Sequence, residues 1–139
     1  MTGVGAQSDE TWKYSFASVW KKCGFLLQGR QLHCVEFIDE TLYICSGCKH
    51  TSAKDNIIVL ESVEAYNVLT KKTTIVGQLK YGCIGSASVA YKGSIYVFGG
   101  SENNKELLDC VQVFSPVGGT CTLLSTSMPC PAALLYRII

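Results

Sequence analysis

Two stretches of this chain occur twice, and that repetition restricts the folds that the sequence can adopt. Residues 38–47 return 53 residues later as residues 91–100, and both stretches are β-rich runs that end in glycine. Residues 60–66 return as residues 108–114, a shift of 48 residues. The two shifts differ because the first copy has a longer loop between its halves. A unit of about 50 residues, used twice, therefore organises most of the chain.

A repeat of this length, built from short strands, is typical of a blade in a β-propeller. The predicted strands are residues 33–38, 41–45, 62–66 and 73–76 in the first copy and residues 86–91, 94–98, 110–115 and 120–124 in the second. The runs 42–45 and 95–98 are apolar on both faces, so each needs cover above and below. Gly93 and the pair Gly118-Gly119 provide the positive φ angles that tight hairpins favour.

The flanks of the two copies predict parts of neighbouring blades. At the shift of 53 residues, Trp20 corresponds to Thr73 in the outermost strand of the first copy. The expected division is residues 1–12 as a linker or disordered segment, 13–30 as a blade fragment, 31–80 and 84–127 as complete blades, and 128–139 as the start of another blade. The predicted fold class is therefore all-β, a partial propeller with two complete four-stranded blades.

Motifs in both copies resemble the kelch repeat, which combines a glycine doublet, a Val-x-x-Tyr strand and a strand that carries tryptophan. Gly99-Gly100 matches the doublet, and residues 63–66 (Val-Glu-Ala-Tyr) and 111–114 (Val-Gln-Val-Phe) match the second motif. Other positions depart from the pattern. Ser46-Gly47 keeps only the second glycine, and only Trp20 keeps the tryptophan. The resemblance implies kelch blades in which the outermost strands pack differently.

The resemblance also implies a function. In kelch-like proteins with BTB and BACK domains, a six-bladed propeller recruits substrates to a cullin-RING ubiquitin ligase. We expect this chain to be a protein-interaction module, part of such a substrate-recruiting adaptor, that reaches a cullin only through a BTB segment. No part of these 139 residues matches a BTB or BACK domain. A cytoskeletal or scaffolding module that binds actin or a similar polymer is the alternative, and a metal-dependent propeller enzyme is the least favoured one.

Composition and charge argue against several other classes of protein. The formal net charge is +1, with 12 basic and 11 acidic residues and no basic run, so we expect no nucleic-acid partner. No stretch approaches the roughly 18 apolar residues that a membrane span needs, and no apolar signal segment follows Met1. Eight cysteines without a secretion signal are expected to be reduced, in a cytoplasmic protein.

One cluster of residues has the spacing of a metal site. Cys45 and Cys48 form a Cys-x-x-Cys pair with His50 close by, and His33-Cys34 precede them in the same blade. A tetrahedral zinc site needs a second pair of ligands, which the sequence does not supply, and copper sites want several imidazoles. We therefore expect no metal, no cofactor and no enzymatic activity.

Partners of propellers bind to loops at one end of the ring rather than to strands. The resemblance places that surface in the connections between second and third strands and between blades. The candidate partner-binding residues are Arg30, Lys49, His50, Lys54, Tyr81, Glu102, Asn103 and Lys105. Arg30 ranks first because the copies have Cys83 and Pro131 at its position, and because a guanidinium suits a carboxylate-bearing peptide.

Two blades are fewer than the four to eight of a closed propeller. Terminal units of an open array leave a blade face uncovered, and residues 131–136 are an apolar example. We therefore expect self-association through unpaired blade edges, marginal stability, or a larger parent protein of which this chain is a piece.

Overall fold

The computed structural model describes residues 2–4, 8–15, 19–52, 56–103 and 106–133, which form β-strands joined by turns. In chain order the strands are β1 (Thr2–Val4), β2 (Ser8–Ser15), β3 (Val19–Arg30), β4 (Cys34–Ile38), β5 (Thr41–Cys45), β6 (Cys48–His50), β7 (Ile57–Val59), β8 (Ser62–Asn67), β9 (Thr73–Gln78), β10 (Ala87–Tyr91), β11 (Ser94–Phe98), β12 (Ser101–Glu102), β13 (Glu106–Leu107), β14 (Val111–Ser115) and β15 (Thr120–Leu123). Within these ranges the chain has no helix long and apolar enough to cross a membrane.

Two of the sheets are antiparallel, four-stranded blades with the same strand order. The first blade runs β4-β5-β8-β9 and the second runs β10-β11-β14-β15. Their registers agree, because Cys45 pairs with Val63 and its counterpart Phe98 pairs with Val111. The all-β, partial-propeller fold is confirmed, and every predicted strand of the two copies is present with bounds within two residues of those expected.

The innermost hairpin of each blade closes with a two-residue turn. Asp39 and Glu40 have φ angles of 44° and 63°, and Lys92 and Gly93 have φ angles of 47° and 76°. Two positive values in succession define the hairpin turn whose twist matches that of the strands it joins. The positive φ predicted for Gly93 is confirmed, whereas the first blade adopts the same turn without any glycine.

Side chains from both blades fill the space between them. The shared core consists of Cys34, Cys45, Val63, Leu79, Cys83, Ile95, Val97 and Phe114. Polar contacts join the innermost strands across the same boundary, since Ser88 Oγ donates to Glu36 Oε1 at 2.7 Å. Each blade thus covers one face of its neighbour, as the two-sided apolar strands require.

Residues 2–4 and 8–12, expected to belong to a linker or a disordered segment, lie in strands of the sheet before the first blade. Its strand order is β1-β2-β3, and β2 is paired on both sides. Thr11 is fully buried, and Trp12 Nε1 donates to the Glu10 carboxylate at 3.1 Å. The polar composition of this segment suggested disorder. Pairing with β3 satisfies the backbone hydrogen-bonding groups of β2, and composition alone does not reveal such pairing.

The register of that sheet reveals a third copy of the Val-x-x-Tyr motif. The aromatic end of the motif pairs with the tryptophan position in each sheet: Tyr14 with Trp20, Tyr66 with Thr73, and Phe114 with Cys121. Residues 11–14 (Thr-Trp-Lys-Tyr) are therefore the third version, and β3 is the outermost strand of a preceding blade. The motif does not recur at the 48-residue shift, because it lies 52 residues before its counterpart.

Candidate interaction face

Two small hairpins lie in the connections between the second and third strands of the blades. Strand β6 pairs with β7 in the first blade, and β12 pairs with β13 in the second. Each hairpin also pairs with the segment that enters its own blade, through Gln31 to Cys48 and through Ile84 to Ser101. The structure thereby assembles one surface, here called the loop face, from residues 28–31, 46–52, 56–61, 79–86, 99–103 and 106–110.

A left-handed turn anchors each hairpin to its blade. Gly99-Gly100 has φ angles of 58° and 96°, and Ser46-Gly47 has φ angles of 59° and 87°. Ser46 therefore adopts the backbone of the glycine that it replaces, at a steric cost. A polar contact offsets that cost, because the Ser46 hydroxyl accepts a hydrogen bond from Cys83 N at 2.6 Å. The departure from the glycine doublet changes the sequence motif while the turn is preserved.

Six of the candidate partner-binding residues lie in the loop-face ranges, and five of them are at least partly exposed. Lys49 is half-buried and His50 exposed on β6, Tyr81 is 40% exposed between the blades, Glu102 is half-buried on β12, and Asn103 is exposed after it. Lys54 and Lys105 lie outside the described residues. The first hairpin is thus basic at its described positions, whereas the second is acidic, with Glu106 exposed on β13.

Gln31 is a loop-face residue that the sequence reasoning missed. Its backbone exchanges two hydrogen bonds with Cys48, both of 2.9 Å, and its side-chain Nε2 lies 2.8 Å from Nε2 of His50. The two side chains are therefore within hydrogen-bonding distance of each other. The available signal was the repeat register, which aligns Gln31 with Ile84, the other residue that pairs with a hairpin.

The expectation that Arg30 meets a partner is wrong. Arg30 ends β3 with no exposed surface, and its Nη2 pairs with the equally buried carboxylate of Glu64. Its Nη1 donates to the carbonyl oxygens of Ser46 (2.9 Å) and Ser62 (3.0 Å). Comparison with Cys83 in the next copy suggested that packing does not require an arginine there. That comparison did not take Glu64 into account, and a buried carboxylate such as Glu64 needs a cation beside it.

Glu64 also fixes the strand that leads into the loop face. Its carboxylate accepts hydrogen bonds from Leu27 N (2.6 Å) and Gln28 N (3.1 Å). In the next blade Gln112 stands at the same position and holds Tyr81, accepting from its N (2.9 Å) and donating to its O (3.0 Å). Gln28 and Tyr81 are 53 residues apart, so the two contacts are repeats of one latch. Each latch fixes the incoming connection against the third strand of the blade.

The cysteines do not form a common centre with the histidines. All eight are free, and Cys45 lies in the core between the blades, whereas His50 is exposed on the loop face. Burial raises the pKa of Cys45 above its usual range and that of Cys34 to about 12, which keeps both thiols protonated. In the described ranges no three or more His, Cys, Asp or Glu side chains are grouped so that they could hold a metal ion.

His33 makes the stability of the first blade sensitive to acid. Burial, with a further contribution from the charge of Arg30, lowers the pKa of His33 from 6.5 to about 4. Between these values the unfolded chain binds the proton and the folded chain does not, so stability falls as the pH falls. We expect the loss between pH 7 and pH 4.5 to be smaller in the variant His33→Gln, by about 2 kcal/mol. Urea unfolding at both pH values measures the loss of stability, and an equal loss in the parent chain and in His33→Gln would contradict the prediction.

The comparisons with known proteins agree with this architecture. The family model of the Kelch motif matches residues 82–128. Kelch-like protein 25 of Xenopus tropicalis is 28% identical over 115 residues, which is 78% of this chain and 19% of that protein. Its Xenopus laevis counterpart is 29% identical over 111 residues, 76% of this chain and 18% of that protein. The chain thus spans about a fifth of the length of these relatives.

A solved structure shows the same fold at low sequence identity. The structure of YjhT matches with a TM-score of 0.78 and 18% identity, over 91% of this chain and 48% of that chain. The matched family model covers the second blade, and the first blade has the same strand register. Residues 82–128 thus match the Kelch motif, and the chain is similar to the kelch-like proteins over the part of their length that it covers.

Proposed function

We propose that the loop face binds a segment of a partner protein, and that the chain is the substrate-recruiting part of a cytoplasmic adaptor for a cullin-RING ubiquitin ligase, without enzymatic activity of its own. Kelch repeats generally bind protein partners, and the relatives named above are kelch-like proteins. The observation that carries the proposal is the pair of hairpins, which present exposed polar side chains from a backbone bonded to both the blade and the incoming connection. Such a surface loses little conformational entropy on binding.

The charges of the loop face suggest what the partner segment looks like. Lys49 and His50 make the first hairpin basic, whereas Glu102 and Glu106 make the second acidic. A segment with carboxylates over the first hairpin and a basic residue over the second would be complementary in charge. Tyr81 adds a partly exposed aromatic ring, the type of side chain that often anchors an interface.

Loop-face substitutions test where partners bind. We expect the triple variant Lys49→Glu, His50→Ala, Tyr81→Ala to weaken partner binding by tenfold or more, because it reverses a charge and removes an aromatic anchor, effects of about 1.4 kcal/mol or more together. Quantitative mass spectrometry of captured proteins, followed by titration of one captured partner, measures the loss. The thermal midpoint of the triple variant should change little, since His50 and Tyr81 are exposed and Lys49 is only half-buried.

The matched control is Tyr91→Ala with Lys92→Glu, which removes a 56%-exposed tyrosine and an exposed lysine at the opposite end of the second blade. Equal losses for the control and the triple variant would contradict a loop-face site. Loss of ubiquitin transfer to captured partners when cullin activity is blocked would support the ligase role. Co-sedimentation with actin filaments would instead favour a scaffold. Size-exclusion chromatography of the same samples tests self-association, which stays a prediction.

A further inference from the structure

A cavity of about 670 Å³ opens at the end of the molecule away from the loop face. It lies between the preceding sheet, through β2 and β3, and the first blade, through β4 and the connection from β8 to β9. Among its lining residues are four lysines, Lys13, Lys21, Lys22 and Lys71, and the apolar side chains of Phe37 and Leu69. No acidic side chain of the described residues lines it. Its volume falls in the usual range of binding sites.

Two apolar side chains that line this cavity, here called its apolar floor, are largely exposed to solvent. Phe37 is 54% exposed and Leu69 is 67% exposed, and both line the cavity together with the well-buried Tyr66. Scattered apolar side chains on a surface need no explanation, but apolar side chains grouped in a concave site favour a ligand. An apolar group of a partner would recover that burial at about 25 cal/mol for each Å² removed from water.

The connection that carries Leu69 and Lys71 is held in one conformation. The side-chain oxygen of Asn67 accepts hydrogen bonds from Leu69 N and Thr70 N, both of 2.9 Å. Lys71 N donates to Asn67 O at 2.8 Å, and Val68 N donates to Glu40 O at 3.0 Å. The positions from which the apolar floor and one lysine project are therefore set before any ligand arrives, which lowers the entropic cost of binding.

The rim of the cavity keeps an excess of positive charge. Glu10 pairs with Lys22, and the same ammonium lies 4.6 Å from the centroid of the Phe25 ring. Lys13, Lys21 and Lys71 are all exposed around the opening. Three cations beside an apolar floor attract an anionic group and orient it, whereas a cationic or purely apolar ligand would leave half of the site unmatched.

We infer that this cavity, hereafter the lysine cavity, binds an acidic peptide segment of another protein. One apolar side chain of that segment would pack on Phe37 and Leu69, and flanking carboxylates would meet Lys21 and Lys71. The lysine cavity and the loop face lie at opposite ends of the blades and share no residue. The chain can thus hold two protein segments at once, and this second site does not depend on what the loop face binds.

The test uses fluorescence anisotropy with the full chain and a labelled peptide in which glutamates flank a central Leu-Phe pair. We expect saturable binding that weakens between about 50 mM and about 300 mM salt, as screening requires. Lys21→Glu with Lys71→Glu should weaken binding about tenfold, since each reversal removes an attraction and adds a repulsion. Leu69→Ser should weaken it severalfold. Lys92→Glu, which reverses an exposed lysine in the second blade, should leave the affinity unchanged.

Two further peptides decide between specific binding and simple attraction of opposite charges. Replacing Leu-Phe by Ser-Ser should abolish saturable binding, and replacing the glutamates by glutamine should do the same. Equal affinity for the Ser-Ser peptide, or an equal loss in Lys92→Glu, would overturn the proposal, as would binding of anionic phospholipid vesicles in place of the peptide. The loop-face triple variant should bind the peptide normally, which separates a failure here from a failure of the proposed function.

Discussion

Replacing Glu64 with glutamine is expected to lower the free energy of unfolding by about 3–5 kcal/mol, enough to unfold a domain of marginal stability. The reason is the charge left behind. Arg30 has no exposed surface and ends its strand against the Glu64 carboxylate, so the variant strands a guanidinium in the interior. Arg30→Met alone is expected to be similarly harmful, because it leaves the Glu64 carboxylate with backbone donors at Leu27 and Gln28 but no cation.

The second blade supplies the control for this prediction. It has Cys83 and Gln112 at the positions of Arg30 and Glu64, so the latch works there without charge. The double variant Arg30→Met, Glu64→Gln should therefore be more stable than the sum of the single losses allows, with a coupling energy of about 2–3 kcal/mol. The carbonyls of Ser46 and Ser62 lose a donor in both Arg30→Met proteins, so that loss cancels in the cycle. Urea unfolding of the four proteins measures the coupling energy, and additive losses of stability would contradict the prediction.

The repeat made the fold predictable, because equivalent residues have equivalent surroundings. Tyr43 and Tyr96 lie on the second strands of their blades and pair with equivalent residues of the third strands, Tyr43 with Ala65 and Tyr96 with Val113. Ser46 replaces the first glycine of the doublet without changing the fold, since the turn is kept with a Ser46 φ angle of 59°. Residues 8–12 were not recognised as part of a strand, because a single polar strand carries no periodic apolar signal until its partner strand is known.

The candidate site was only partly predictable, since the repeat register gives position along the chain but not exposure. It predicted that Lys49, His50 and Tyr81 lie in connections, and they lie between β5 and β8 and between β9 and β10. It failed for Arg30 because a buried charge depends on one partner far away in sequence, and the copies do not share that partner. The lysine cavity was missed for a related reason. Its lysines come from segments that meet only when the preceding sheet packs against the first blade.

Replacing Gly77 with alanine is expected to destabilise the protein by about 1–3 kcal/mol, because the contact between the two blades leaves no room for a methyl group. A Cβ at Gly77, in the outermost strand of the first blade, would lie 2.5 Å from Gly119 O and 2.7 Å from Cε2 of Phe114. Gly118→Ala is the control, since its Cβ would come no closer than 3.4 Å to any atom. It should change stability by no more than about 0.5 kcal/mol. Thermal and urea unfolding compare the stabilities of the two variants, and equal losses of stability in Gly77→Ala and Gly118→Ala would contradict the prediction.

The same packing recurs one blade earlier with a difference that sharpens the test. Gly24 lies 53 residues before Gly77, and the three atoms nearest to a Cβ there would all belong to the Tyr66 side chain, including Cζ at 2.8 Å and the hydroxyl at 2.9 Å. Gly24→Ala should therefore cost clearly less in a Tyr66→Leu background than in the parent chain. Gly77→Ala should cost nearly as much in a Phe114→Leu background, because the Gly119 carbonyl remains in the way. A side chain can be trimmed, whereas a backbone oxygen fixed by the adjoining hairpin cannot, so the two cycles should differ in coupling energy by about 1 kcal/mol or more.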